Sequence, residues 1–412
     1  MMKFLIVTQD MNIGGIQKSL LNLLNRISEE NHNIQLRLFN KQGDYLGFLP
    51  SNVKVDDCGY FISAISDSKR DLLKNRNYIK LIVKIILMGF AKVTSPNFIY
   101  KMLFKLDKDK TEYDVAISFS QDNYTAVFSK GCNQYVTDYV TSNIKAAFIH
   151  SDIINESADI EDMRKKYRLM DAVINVSNSG KKTFDEIFPE YKSKSFVMKN
   201  LFNESEITKM ANQSYGITNP EKSLKLVTVS RLSYLKGTDR ILKLANKLKE
   251  IGFHDYVWHV VGEGTGEYES SRLRQWAKEN NIDDKLIFVG NNPNPYPYIK
   301  NSDVFVFPTR TEAFPMVTIE SLILNTPVVA CRYSSVDEQI TNNYNGLVIE
   351  NNDDAFQQGL ISLMSDGFRK IHDWTESLNS YSYENEKNYS EFNRIIGELE
   401  EKCRAHDRVD RK

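Results

Sequence analysis

Along the chain, short runs of β-branched and aromatic residues alternate with stretches whose apolar positions recur every three or four residues. The first half carries strand candidates KFLIVT (3–8), YDVAISFS (113–120), KAAFIH (145–150) and DAVINVS (171–177). The second half carries KLVTVS (225–230), VWHVVG (257–262), KLIFVG (285–290), DVFVFP (303–308) and TPVVAC (326–331). Helical periodicity at 16–27, 238–251 and 268–280 falls between them, and this alternation predicts a parallel α/β architecture. A polar stretch at 208–222, poor in large apolar residues, reads as a linker. The expected organisation is a doubly wound domain over 1–207 and a second over 223–382, with the cleft between them as the default site. In the closing stretch 383–412, Tyr389, Phe392, Ile396, Leu399 and Cys403 form one apolar stripe at helical spacing. Such a helix needs a surface to cover, and it is expected to pack back across both domains, with a frayed tail beyond it.

Composition narrows the class. A chain of 412 residues suits two or three domains at roughly 150 residues each. With 53 Lys and Arg against 54 Asp and Glu, the net charge of −1 excludes a globally basic nucleic-acid binder. Ten Pro and 19 Gly without a biased tract exclude a fibrous or mainly disordered chain. The cysteines, Cys58, Cys132, Cys331 and Cys403, lie far apart without a CxxC pair, which argues against a disulfide frame or a Cys-based zinc site and fits a reducing compartment. The longest apolar run, IILMGFA at 85–91, falls far short of the ~20 residues that span a bilayer, and MMKFLIVTQD reads as a first strand rather than a signal core. The expectation is a soluble or surface-attached cytoplasmic protein.

Candidate chemistry gathers at strand ends. TRTEAFPMVTIESL (309–322) follows DVFVFP and leads into a helix, with Pro315 fitting its first position. The N–H groups of Met316 and Val317 then lie at the positive end of the helix dipole, ready for an anion. Glu312 precedes that end and Glu320 lies about a turn and a half inside it. Two carboxylates flanking an anion site suit a ligand with both phosphate and sugar hydroxyls, although alone they fit an ordinary dipole-facing Glu and a surface Glu just as well. In VSRLSYLKG (229–237), Arg231 and Lys236 follow a strand within six positions, and a forked Arg with a Lys point charge complements a diphosphate. Two solvated loop cations are the plain alternative. NIGG places Gly14 and Gly15 between the first strand and the 16–27 helix, either for close backbone approach to a ligand or for a simple tight turn. The adjacent glycines do not fit a dinucleotide fingerprint, and GEGTG (262–266) reads as structural. His150 ends a strand and is followed by Ser151 and Asp152, as a contact for a sugar hydroxyl or as a core histidine.

Residues 69–110 hold eleven Lys or Arg against three Asp, a surplus of eight that leaves the rest of the chain at −9. Large apolar residues lie between the cations, so the segment reads as an in-plane membrane anchor or as first-domain helices with solvated lysine faces. Nucleic acid is not expected as a partner.

Taken together, these residues resemble the retaining GT-B glycosyltransferases of family four (glycosyl transferases group 1), over nearly the whole chain. The likeness is most specific from VSRLSYLKG through Glu312…Glu320, TPVVAC and NGLVIEN (345–351), and in NPYPYIKNSDVFVFPTRTEAFPMVTIES; in the first half the paired glycines and AFIHSD carry it. Ala313, Ser230 and YSSVDEQI (333–340) depart from glycines common in the family, with Glu338 at its acidic position. The resemblance implies two Rossmann-like domains facing across a donor cleft and a C-terminal helix crossing back. It implies that Arg231 and Lys236 hold the donor diphosphate, Glu312 the transferred sugar and Glu320 the ribose. Ala313, Phe314, Met316 and Val317 would line the donor site, and Gly14, Gly15 and His150 would complete it, with His150, Arg231, Lys236 and Glu312 as the catalytic set. The implied reaction moves a hexose from a UDP-linked sugar onto a cell-surface glycan or lipid-linked acceptor, without metal or further cofactor, and the segment 69–110, read as an anchor, would place the cytoplasmic enzyme at the inner face of the cell membrane. A catalytically silent GT-B subunit bound to a glycosyltransferase partner, or a nucleotide-sugar epimerase, is the alternative.

Overall fold

A computed structural model of the chain describes all residues except 107–109, 123–126, 129, 130, 152, 154–158, 214–222, 367, 368 and 410–412. The chain forms two compact units, Met1–Leu201 with Asn385–Lys412, and Phe202–Glu384. In the first, β1 (Lys3–Thr8), β2 (Asn33–Leu38), β3 (Val53–Asp57), β4 (Glu112–Ser118), β5 (Thr141–Ile149), β6 (Ala172–Asn175) and β7 (Ser195–Val197) form one sheet. Its order is β3-β2-β1-β4-β5-β6-β7, and every recorded pairing is parallel. The central strands are apolar on both faces because helices cover both, so Leu5, Ile6, Val7, Val115, Ala116 and Ile117 are fully buried.

The second unit repeats the plan with β8 (Leu224–Val229), β9 (Tyr256–Val261), β10 (Leu286–Gly290), β11 (Val304–Phe307), β12 (Val328–Cys331) and β13 (Gly346–Ile349). The order β10-β9-β8-β11-β12-β13 is again parallel throughout the recorded pairs. Trp258, at the heart of this core, donates its indole N–H to Thr228 Oγ1 (3.1 Å), which itself donates to the Val306 carbonyl (2.6 Å). Each sheet thus winds outward in both directions from one adjacent strand pair, β1/β4 in the first and β8/β11 in the second. Those pairs are the topological switch points, where the chains diverging from neighbouring strand ends leave a crevice.

Several expectations change. Residues 208–211 are not linker: they complete the Glu204–Ala211 helix, capped by Asn203. Asn294 Nδ2 donates to the Met210 carbonyl at that helix's end (3.0 Å), and Phe202 packs edge-on against Tyr383, so the second unit begins at Phe202. Residues 214–222 of the expected linker lie outside the described residues. The closing helix, Asn385–Val409, belongs to the first unit. Its Tyr389, Phe392, Ile396 and Leu399 are buried there, Phe392 against Phe4, and Arg26 stacks over the Tyr389 ring while pairing with Glu386 (2.8 Å).

The basic segment forms the helices Lys69–Lys74, Tyr78–Val93 and Pro96–Leu106. Two of its lysines are not solvated cations. Lys80 donates to Ser63 Oγ (2.6 Å) and pairs with Asp67, and Lys84 donates to the carbonyls of Ile65 (2.6 Å) and Asp67 (2.7 Å). Burial holds the Lys84 ammonium below its ordinary pKa and the Asp67 carboxyl above its own.

Candidate active site

In the second unit the candidates collect where β8 and β11 end. Past β8, Ser230 N–H donates to Val261 O (3.1 Å) and Leu232 N–H to Glu263 O (3.0 Å), so the neighbouring strand's exit loop holds the backbone on both sides of Arg231. The Arg231 side chain is exposed and makes no hydrogen bond or ion pair among the described residues. The chain then closes a tight loop, with Ser233 N–H donating to Thr238 Oγ1 (2.9 Å) and Gly237 N–H to Tyr234 O (3.0 Å). Gly237 has φ +73°, and a Cβ there would lie 2.0 Å from the Pro308 carbonyl oxygen. Only glycine lets this loop lie so close to the end of β11.

That approach brings Lys236 to Glu312. The Lys236 ammonium forms an ion pair and hydrogen bond with Glu312 Oε1, and both side chains are largely covered. The Glu312 loop is fixed from three directions. Arg310 N–H donates to Leu235 O (2.8 Å), while the Arg310 guanidinium forks onto both oxygens of Asp239 (2.6 and 2.8 Å) and stacks on the Tyr234 ring at 3.7 Å. Arg240 donates to Pro308 O (3.0 Å) and Asp353 (2.9 Å), and Asn351 donates to Arg310 O (2.8 Å). Hydrogen bonds from Lys243 and then Arg240 hold the Asp353 carboxyl down to about 2. Ser334 Oγ closes the third side on the Glu312 carbonyl (2.9 Å).

The following helix runs Met316–Ile323, and Pro315 is its N-cap, not its first residue, because a ψ of 124° keeps it extended. Gln339 pins this turn by donating to the Pro315 carbonyl (3.0 Å). The N–H groups of Met316 and Val317 then have no helical carbonyl behind them. Phe314 and Met316 are buried, whereas Ala313 and Val317 are half-covered. Glu320 is buried and accepts a hydrogen bond from Tyr296 Oη (3.0 Å). Tyr296 was not singled out from the sequence: it lies 24 positions away, and only the fold makes it Glu320's neighbour.

The first unit's candidates also stand at strand ends. Gly14 caps the Gly15–Ser28 helix with φ −178°, an extended conformation open to any residue, and a Cβ on Gly15 would meet nothing within 4 Å. The backbone conformation therefore does not demand glycine at Gly15, whereas a Cβ on Gly14 would lie 2.6 Å from Gln17 Oε1 and would need that side chain to move. His150 follows β5, its N–H and that of Ser151 both donating to Gln121 Oε1 (2.9 Å each), with its ring against Phe119 (centroids 4.6 Å) and Phe148 (5.6 Å). Asp152 lies outside the described residues.

Residues 211–385 match the family described as glycosyl transferases group 1. An uncharacterized glycosyltransferase of Methanocaldococcus jannaschii is 25% identical over 306 residues, covering 68% of this chain and 75% of the relative. A Campylobacter jejuni N-acetylgalactosaminyltransferase acting on a diphospho-undecaprenol-linked sugar is 29% identical over 34% of this chain and 37% of its own length. Among solved structures, the Anabaena HepE protein in complex with UDP and glucose superposes with a TM-score of 0.63 at 16% identity, over 98% of this chain and all of that one. A Rickettsia africae glycosyltransferase gives a TM-score of 0.63 at 17% identity, over 97% and 98%. The two parallel sheets are those of the GT-B fold. The glycosyl transferases group 1 match thus takes in the whole β8–β13 sheet with its strand-end loops, and together with the glycosyltransferase relatives it supports a sugar-transferring activity.

Proposed function

We propose that the second unit binds a UDP-linked hexose at the β8/β11 switch point and that the enzyme transfers the sugar, with retention at the anomeric carbon, to a glycan or lipid-linked acceptor. One observation carries this: the Lys236–Glu312 pair ties together the loops that leave β8 and β11, the first of which also carries the exposed Arg231 while the second leads into the Met316–Ile323 helix. Cations and bare N–H groups at a sheet's switch point suit a diphosphate, and a carboxylate beside them suits sugar hydroxyls.

In the proposed reaction the anomeric C–O bond breaks, and its electron pair leaves with the nucleotide diphosphate. Negative charge builds on the departing phosphate, so Arg231, Lys236 and the helix tip act where it develops. Bound phosphate draws Lys236 away from Glu312, and Glu312 turns to the hexose. The acceptor oxygen attacks from the face the phosphate leaves, giving up its proton to the phosphate. Glu320, held by Tyr296, takes the ribose, and the first unit, with Gly14, Gly15 and His150, takes part in sugar and acceptor binding. The absence of local demand for glycine at 15 supports a role for a side-chain-free backbone there. A UDP complex of the Anabaena protein and the lipid-diphosphate acceptor of the Campylobacter relative support the choice of donor and acceptor class.

The test is donor turnover by the purified enzyme, with release of UDP as the readout. Lys236→Ala and Glu312→Ala are each expected to lower kcat by ~10²–10³, the loss that follows removal of one preorganised charge-stabilising group. Both variants staying within about twofold of wild type, against that expected loss, would refute the assignment.

A further inference from the structure

The Tyr78–Val93 helix lies on the first unit with its polarity reversed. Its two inward lysines, Lys80 and Lys84, are consumed by Ser63, Asp67 and Ile65 as described, and its single buried residue, Ala91, shares their side. The opposite side presents Ile79, Ile82, Ile86, Phe90 and Val93 at spacings of three or four, with Ile85 next to Ile86 on the same side, and together they make one stripe. These are not half-covered core residues: Ile79 is 71% exposed, Phe90 61% and Val93 86%, and the other three exceed half. The next helix, Pro96–Leu106, continues the pattern, exposing Phe98, Met102 and Leu106 together with Lys101 and Lys105. A run of apolar side chains this long is far more than the scattered exposed apolar residues of an ordinary surface.

Charge decides what covers it. Around the stripe, Lys69, Arg70, Lys74, Lys92, Lys101 and Lys105 are exposed, and Asp71 is the only acidic residue from 69 to 106. In a two-fold contact with a second copy the same cations would face one another, which disfavours self-association. An anionic bilayer surface answers both features: apolar side chains enter the acyl boundary while long lysines reach back to the headgroups.

We infer that the outward face of the Tyr78–Val93 and Pro96–Leu106 helices is a docking surface for a membrane bearing anionic lipid, with the isoleucine–phenylalanine stripe inserted and the remaining lysines at the headgroups. The surface is separate from the donor assignment, and either can fail without the other. Lys80 and Lys84 hold the helix to the protein and are unsuited as probes of this surface.

The test is co-sedimentation of the full chain with phosphatidylcholine vesicles, with and without a third of phosphatidylglycerol. Wild type is expected to partition onto the anionic vesicles, and Ile86→Glu/Phe90→Glu to lose about tenfold or more. Lys101→Glu/Lys105→Glu is expected to lose at least about tenfold, at about tenfold for every 1.4 kcal/mol of lost attraction, with binding that weakens as salt rises. Turnover of a soluble donor should not change. Should the double glutamate variant misfold by circular dichroism, Val93→Glu, at the most exposed position, replaces it. Equal partitioning of wild type and a folded glutamate variant overturns the inference. So does wild type that ignores anionic vesicles and runs as a dimer that the glutamate variant splits, which assigns the face to a second copy.

Discussion

Gly237 does two things at once. Its positive φ closes the Ser233–Gly237 loop, and its missing side chain leaves room for the Pro308 carbonyl, so the Lys236 loop and the Glu312 loop come within reach of each other. Gly252 supplies a comparison within the same unit, with the same φ of +73° but nothing within 4 Å of its would-be Cβ. Gly252→Ala should therefore cost only the backbone term, about 1–2 kcal/mol. Gly237→Ala should cost more than that, because the loop must also move off Pro308, and it should lower turnover by separating Lys236 from Glu312. All three tryptophans, Trp258, Trp276 and Trp374, lie in the second unit, so the intrinsic fluorescence of urea denaturation reads this difference directly. Equal destabilisation by the two variants would remove the steric part of the explanation.

At the scale of elements, the loop after β11 is braced by charge as much as by packing. Asp353, at the start of a helix, ties Arg240 and Lys243 together, and Arg310 reaches it from the Glu312 loop (3.3 Å). Its folded pKa of about 2 lies below the ordinary 3.8, so the folded state binds the proton less tightly than the unfolded chain. That contribution to stability is fully present above 3.8 and drains away as pH falls from there through about 2. The urea midpoint by tryptophan fluorescence should therefore drop over that window, and Asp353→Asn should be less stable at neutral pH and show a shallower drop. A drop of the same depth in the variant would mean other carboxylates set it.

How much of this was legible follows from where the apolar residues fall. The central strands β1, β8, β9 and β11 are covered on both faces and appear as continuous apolar runs. β2, NIQLRL, buries only every second residue and has Asn, Gln and Arg between them, so it lacks the apolar run that marks β1 beside it. Periodicity alone divided the Tyr78–Val93 helix into a lysine side and an isoleucine side, but not which one faces the protein. The Ser63 and Asp67 acceptors that turn the lysines inward belong to tertiary structure. The same holds for Glu320, whose partner Tyr296 stands on another helix. The Lys236–Glu312 pair was foreseen as two separate ligand contacts; their mutual neutralisation in the free enzyme depends on the Gly237–Pro308 approach.

For the whole molecule, the claim on which the rest depends is that one crevice of the second unit is built for a nucleotide diphosphate. Each sheet is wound from a central strand pair, and in the second the charged residues of the group 1 match stand at that pair's ends, whereas the first unit carries an apolar, basic flank. The division suits an enzyme whose donor is soluble and whose acceptor is held elsewhere. The most direct measurement is a calorimetric titration of the intact chain with UDP-glucose, UDP-N-acetylgalactosamine and UDP alone. A donor-site crevice predicts saturable one-to-one binding that Lys236→Ala and Arg231→Ala each weaken by about tenfold or more, as loss of a charge-assisted contact of about 1.5–3 kcal/mol requires. Binding of these ligands unchanged in both variants, or no binding of UDP in any form, would contradict it.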